Sequence, residues 1–183
     1  IKKRAFRLFV PRFVSTTLAL LLILGGGTAV AASNALPGEL LYPVKININE
    51  RLRGALASDE EARGEFESGL VAERIEEAQR LMVEGKLEAG IRTKVGQNVE
   101  KHTGKTLEII GNLEMAGNTK AADAVGVRLK NILDENEGVI EEISEDNETI
   151  RMHLEEARNQ INAQGEVQGV QKNGTEEPSS GNT

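Results

Sequence analysis

Residues 13 to 32, FVSTTLALLLILGGGTAVAA, are 20 consecutive residues without a charged side chain. At ~1.5 Å of rise per residue, a helix of that length reaches ~30 Å, one hydrocarbon thickness of a bilayer. The basic residues Lys2, Lys3, Arg4, Arg7 and Arg12 precede the run, and the first charge after it is Glu39. The positive-inside rule then predicts a basic cytoplasmic segment (1–12) and a single-pass transmembrane helix (13–32), whose partner is the lipid bilayer. Everything beyond would lie outside the cytoplasmic membrane. The alternative is a cleaved signal peptide and a secreted protein, since Ala29-Val30-Ala31 matches an A-x-A cleavage site behind a basic start. The run is long for a signal peptide, which favours the uncleaved anchor. The pairs Ser15/Ala19, Gly25/Ala29 and Gly27/Ala31 have the small-xxx-small spacing that allows a homo-oligomer to form through the span, although Gly and Ala are common in any span. The chain opens on Ile1 rather than Met, which fits either an unusual start or missing upstream sequence such as a cytosolic domain.

Charge excludes one class of partner. The net charge is −7, and the five basic residues before the span leave −12 for the rest. Nucleic-acid affinity comes mainly from Lys and Arg neutralising phosphates, so no nucleic-acid partner is expected. The absence of Cys removes disulfides, thiolate catalysis and Cys-based metal sites. Beyond the N-terminal attachment the only aromatics are Tyr42 and Phe66, too few for a stacking platform.

The remainder reads as all-α. Residues 33–42 form a linker with a Pro37-Gly38 turn, and Pro43 suits the first turn of a helix. A helical domain is expected over 43–164 and a disordered tail over 165–183. The first helix spans about 43–57, with Val44, Ile48, Leu52 and Ala55 or Leu56 on its apolar face. A second begins after Ser58 as N-cap, with Glu61 completing a capping box, and ends at Gly85. Its stripe is Ala62, Phe66, Leu70, Val71, Ile75, Ala78 and Met82. A third, about 86–116, carries Leu87, Ile91, Val95, Val99, His102, Thr106, Ile109, Leu113 and Ala116. Gly117-Asn118 breaks it. A fourth runs from Thr119 along Ala122, Val125, Leu129, Ile132, Asn136, Val139 and Ile143, then Ile150, Leu154, Ala157 and Ile161. A heptad stutter or a break falls near Ser144-Glu145-Asp146. The short break at 117–118 predicts an antiparallel bundle or long helical hairpin. Interior Gly at 64, 69, 90, 96, 104, 111, 126 and 138 should soften it, at ~1 kcal/mol each against Ala where exposed.

The stretch Leu36-Pro37-Gly38-Glu39-Leu40-Leu41-Tyr42-Pro43-Val44-Lys45, directly after the apolar run, resembles an LPG-xx-LYPVK signature. That signature belongs to an uncharacterised bacterial family of exported or membrane-anchored proteins carrying a domain of unknown function. In the family an amphipathic helix follows, then a helix of the kind seen here at Ala62-Arg63, Glu65, Leu70, Arg74 and Glu77-Ala78. The resemblance covers roughly 33–160. Ile46-Asn47-Ile48-Asn49 departs from it, since the family tends to have charged or Ala-rich helix there. It implies an extracytoplasmic helical domain, sometimes joined to regulatory regions of anti-sigma type, and carries over no catalytic residue. On this reading Leu36, Leu40, Leu41 and Tyr42 fold back onto the bundle and fix its angle to the membrane.

The remaining motifs are weak. Thr103-Gly104-Lys105-Thr106 ends like a phosphate loop, but Val99 stands where the first Gly is required and no strand precedes it. Asp134 to Gly138 fails the calcium-loop pattern, so that run and Glu141-Glu142, Glu145-Asp146 read as solvated helix faces. His102 and Asn136 sit on apolar stripes. In a hairpin closing at 117–118, facing residues sum to about 235, so the two are candidates for a buried register pair. No nucleophile, base and metal set can be assembled, and no cofactor is expected. The chain therefore reads as a non-enzymatic structural or protein-interaction module with an unknown protein partner. The alternative is a sensory domain coupled through the span to a cytosolic partner.

Overall fold

The structure, a computed structural model, describes the backbone of residues 27–173 and the side chains of 27–163. The predicted cytoplasmic segment and most of the predicted span (13–26) lie outside the described residues, as do 174–183. Among the described residues no helix is long and apolar enough to cross a membrane. All described elements are helical. The chain divides into two compact units, Ile1–Leu52 and Arg53–Thr183.

In the first unit, α1 (27–33) ends at a turn built as the sequence predicts. The Glu39 N–H donates to the Leu36 carbonyl at 2.9 Å, with Pro37 and then Gly38 (φ +97°) at the centre. Pro sets φ at the first central position and Gly supplies the positive φ that a type II turn requires at the second. The Glu39 carboxylate also accepts the Leu36 N–H at 2.8 Å. Helix α2 follows in three parts: α-helical Tyr42–Val44 with Pro43 in the first turn, a π turn over Lys45–Asn49, and α-helical Glu50–Ala55.

That π turn corrects the predicted face. A π turn hydrogen-bonds i to i+5, and the Glu50 N–H indeed donates to the Lys45 carbonyl. Glu50 therefore comes back over Lys45, and these two are buried. The expected stripe is turned outward: Ile48 is 57 %, Leu52 65 % and Leu56 77 % exposed. Of the four residues expected to fold back, Leu36 is buried, Leu41 and Tyr42 are half-buried, and Leu40 is 92 % exposed.

The second unit is a bundle of α3 (Glu60–Val83), α4 (Ala89–Met115), α5 (Thr119–Glu135), α6 (Glu137–Ser144) and α7 (Glu148–Asn173). Helix α4 is central and packs against each of the others. The N-cap of α3 is Asp59, not Ser58: its Oδ1 accepts the Ala62 N–H at 2.8 Å, and Ser58 only donates to Asp59. Both α3 and α4 end in Schellman motifs. Lys86 N–H donates to Leu81 O and Gly85 N–H to Met82 O, and Asn118 and Gly117 repeat the pattern on Leu113 and Glu114. Gly85 (φ +66°) and Gly117 (φ +77°) hold the left-handed residue each motif requires.

The apolar stripes of α3 and α4 pack largely as read, with Leu81 buried in place of Met82. Val95, Val99, Ile109 and Leu113 of α4 meet a core completed by Leu70, Val71, Ile75, Val125, Leu129, Ile143, Ile150 and Leu154. Full burial of such a side chain contributes roughly 1.5–3 kcal/mol. The long fourth helix is a correction. It is broken at Asn136, where the sequence predicts no break, and again at 145–147, where a break is one of the two readings, so three shorter helices take its place. At the first break the half-buried Arg158 of α7 reaches Asp134 (3.0 Å) and Glu137 (2.7 Å), joining both sides of the gap. Helix α7 continues to Asn173, into the stretch that begins at 165.

Two of the interior glycines sit at helix crossings. A Cβ at Gly64 would meet Val125 at 2.9 Å, and one at Gly96 would lie 2.9 Å from the Ile143 carbonyl oxygen. At Gly90, Gly104, Gly111 and Gly138 the space is open.

Candidate functional site

The LPG-xx-LYPVK segment and α2 present the one surface the sequence marks out. Helix α2 lies beside α1 and is pinned there by Asn49. The Asn49 amide donates to the Ala29 carbonyl at 2.7 Å and to Ser33 Oγ at 3.4 Å, and Ser33 Oγ donates to Ala29 O at 3.0 Å. With Asn49 facing α1, Ile48 and Leu52 are left exposed, four residues apart and on one face. The sequence held a signal for this turn: Lys45 and Glu50, five residues apart, are the only charges in a stretch otherwise alternating Ile and Asn.

The predicted register pair does not form. His102 is buried, but its Nδ1 pairs with Glu67 Oε2 of α3 at 2.6 Å. Glu67 Oε1 also accepts from Lys105 Nζ at 2.9 Å. Asn136 instead accepts from Gln79 at 2.9 Å and donates to the Ile132 carbonyl at 2.8 Å, ending α5. Facing sums mislead here because α4 turns its His102 edge toward α3 rather than toward α5. Burial pushes the Glu67 pKa up, but hydrogen bonds from His102 and Lys105 outweigh it and hold the carboxyl below its ordinary value.

Ion pairs run along and between the helices of the bundle. Arg74 and Glu77, two residues of the family resemblance, form an ion pair almost wholly removed from water, with side chains 1 % and 3 % exposed. Arg92 of α4 holds Glu142 (3.0 Å), Glu145 (2.9 Å) and Asp146 (2.8 Å) at the second break. The acidic runs that read as solvated faces therefore partly serve Arg92 and Arg158. At Asp134, hydrogen bonding from Lys130 outweighs desolvation and, with Arg158, holds the carboxyl below its ordinary value.

Two shallow grooves flank α7. One, of about 530 Å³, lies against α4 and is lined by Glu100, Lys101, Thr103, Leu107, His153 and Gln160. His153 Nδ1 pairs there with Glu100, and the buried Thr103 hydroxyl makes no hydrogen bond. The other, of about 310 Å³, lies against α6 and includes Ser144 and Arg158. Thr103-Gly104-Lys105-Thr106 is an interior turn of α4, with Thr103 and Thr106 buried. Among the described residues no group of three or more His, Asp and Glu side chains is placed to hold a metal ion.

Comparison with curated proteins and with solved structures finds no match to either. One family model does match, over residues 34–136, more than half of the chain. The matched stretch begins just ahead of the LPG signature and ends at the break after α5. On that match the chain belongs to the family described as a domain of unknown function (DUF5667).

Proposed function

We propose that this chain is a membrane-anchored, extracytoplasmic helical domain that serves as a structural or protein-interaction module rather than an enzyme. In this reading residues 1–12 stay in the cytoplasm, 13–32 cross the bilayer once, and the bundle stands outside as a platform for a protein partner.

The carrying observation is the way the end of the apolar run is built into the first unit. The Ala29 carbonyl accepts from both Asn49 and Ser33, and Ala32 is fully buried. Cleavage after Ala31 would remove Ala29 and its hydrogen bonds, which supports the anchor over the secreted alternative. The structural part of the reading is supported by the ion pairs. His102, His153, Glu67 and Glu100 are matched with one another or with Lys105, and Arg92 and Arg158 take up the acidic runs. Glu67–His102 and Glu100–His153 each join two different helices, as a structural module requires.

The test is a topology fusion. A phosphatase reporter active only outside the cytoplasm is joined after Thr183, and a fluorescent protein that matures only inside is joined at the same point in a second fusion. Phosphatase activity without fluorescence, in a membrane fraction retaining the full-length chain, is expected. Fluorescence without phosphatase activity overturns the proposal.

A further inference from the structure

We propose that the outward face of α2, with Ile48 and Leu52 at its centre and Leu40 at its entry, rests on the bilayer at the acyl–headgroup boundary. The proposal deepens the anchored reading and rests on it.

Depth relative to the span is the first support. In the anchored reading the span ends at residue 32, so Ala29 lies three residues, ~4.5 Å, below its outer end. The Asn49 side chain is hydrogen-bonded to the Ala29 carbonyl at 2.7 Å. Ile48 is the neighbour of Asn49 and Leu52 lies three residues beyond it, so both sit within about one helical turn of that level. An amphipathic helix at a membrane surface buries its apolar face ~5–10 Å into the headgroup and acyl boundary. The hydrogen bond therefore holds these side chains at the depth where lipid would cover them.

Exposure and charge agree. Val30, Leu40, Ile48 and Leu52 are all more than half exposed within this one short unit. Their apolar surface gains from leaving water. Residues 13–52 carry no net charge, with Glu39 and Glu50 offset by Lys45 and Arg51, whereas residues 53–183 carry the −12. Of these four, Lys45 and Glu50 are buried. The exposed Glu39 carboxylate is engaged by the Leu36 N–H, and the exposed Arg51 stands next to Leu52, suited to a lipid phosphate. An acidic body is repelled by an anionic leaflet, so this neutral unit is the part able to approach it.

The chain contains no Trp, so one introduced Trp is a clean reporter. Full-length chains carrying Ile48→Trp, Leu52→Trp, Leu21→Trp in the apolar run, or Val127→Trp on an exposed position of α5 are reconstituted into phosphatidylcholine–phosphatidylglycerol vesicles. Each is measured with and without lipids brominated near the top of the acyl chain. The Ile48 and Leu52 probes should be blue-shifted and lose about half of their emission to brominated lipid, as expected at interfacial depth. The Val127 probe should be unaffected. Water-like or unquenched emission from both α2 probes, with Leu21→Trp quenched, overturns the proposal while leaving the anchor in place. Blue-shifted but unquenched emission also overturns it, because protein, such as a second copy, would then cover the face. An unquenched Leu21→Trp removes the anchored reading itself and this inference with it.

Discussion

Replacing Gly96 by Ala probes a tight helix crossing in the bundle. The added Cβ would lie 2.9 Å from the Ile143 carbonyl oxygen and 3.1 Å from Ile150 Cδ1. Even a favourable carbon–oxygen contact rests at ~3.3–3.6 Å. The obstructing atom is main chain, so α4 and α6 must part by several tenths of an ångström rather than rotate one side chain away. Overpacking of this kind costs roughly 1–3 kcal/mol, and the better helix propensity of Ala offsets about 1 kcal/mol of it. The net loss, about 0–2 kcal/mol, corresponds to a fall in Tm of up to about 8 °C for a domain of this size. Gly104→Ala is the matched control on the same helix, since nothing lies within 4 Å of its added Cβ. It should gain about 1 kcal/mol and raise Tm by about 4 °C. Thermal unfolding of the full chain in detergent, followed by far-UV circular dichroism, reads both. If Gly96→Ala stabilised as much as Gly104→Ala, the close approach of α4 and α6 would be refuted.

Two further outcomes follow from the interior charges. Arg74→Met should cost about 3–5 kcal/mol by breaking the buried Arg74–Glu77 ion pair, and adding Glu77→Leu should recover most of it; a double variant no better than the single, by the same melt, would contradict the pair as drawn. The folded-state pKa of Glu67 lies below its ordinary value, so its contribution is present above the ordinary carboxylate range and is lost as pH falls through the folded value. Glu67→Gln should therefore lower Tm at neutral pH and converge with the unaltered chain as pH falls below the ordinary carboxylate range. A gap that stayed constant across that range would contradict the charge-based account of the Glu67–His102–Lys105 cluster.

The helices α3 and α4 are legible in the sequence because period and punctuation agree. Their apolar residues recur at three- and four-residue steps, and Gly85 and Gly117 occupy positions that only a left-handed residue fits. The turn at Pro37-Gly38 is equally legible, since its chemistry is local. What the sequence hides depends on what a helix meets. An unbroken 3.6-residue period assigns the wrong face to α2, because the π turn shifts it by one position. The break at Asn136 does not interrupt the apolar period, because Leu129, Leu133 and Ile140 remain buried on either side. It is held by Arg158, which lies 22 residues further along the chain and carries no sequence mark. His102 is interior, as its stripe position implies, but its partner differs from the expected one, because the edge of α4 on which it lies turns to α3. Arg74 and Glu77 look like ordinary surface residues of an amphipathic helix, and only packing reveals them as interior.

The claim on which the rest depends is that the chain threads the membrane once and keeps its apolar run. Because it contains no Cys, single cysteines report topology without background. Lys3→Cys and Asn182→Cys chains, each with a C-terminal epitope tag, are treated in intact spheroplasts with a membrane-impermeant maleimide. The account predicts labelling of position 182 in intact spheroplasts, labelling of position 3 only after permeabilisation, and both labels on a tagged band of full length. Labelling of position 182 only after permeabilisation, or loss of the position 3 label from the tagged band, would contradict it.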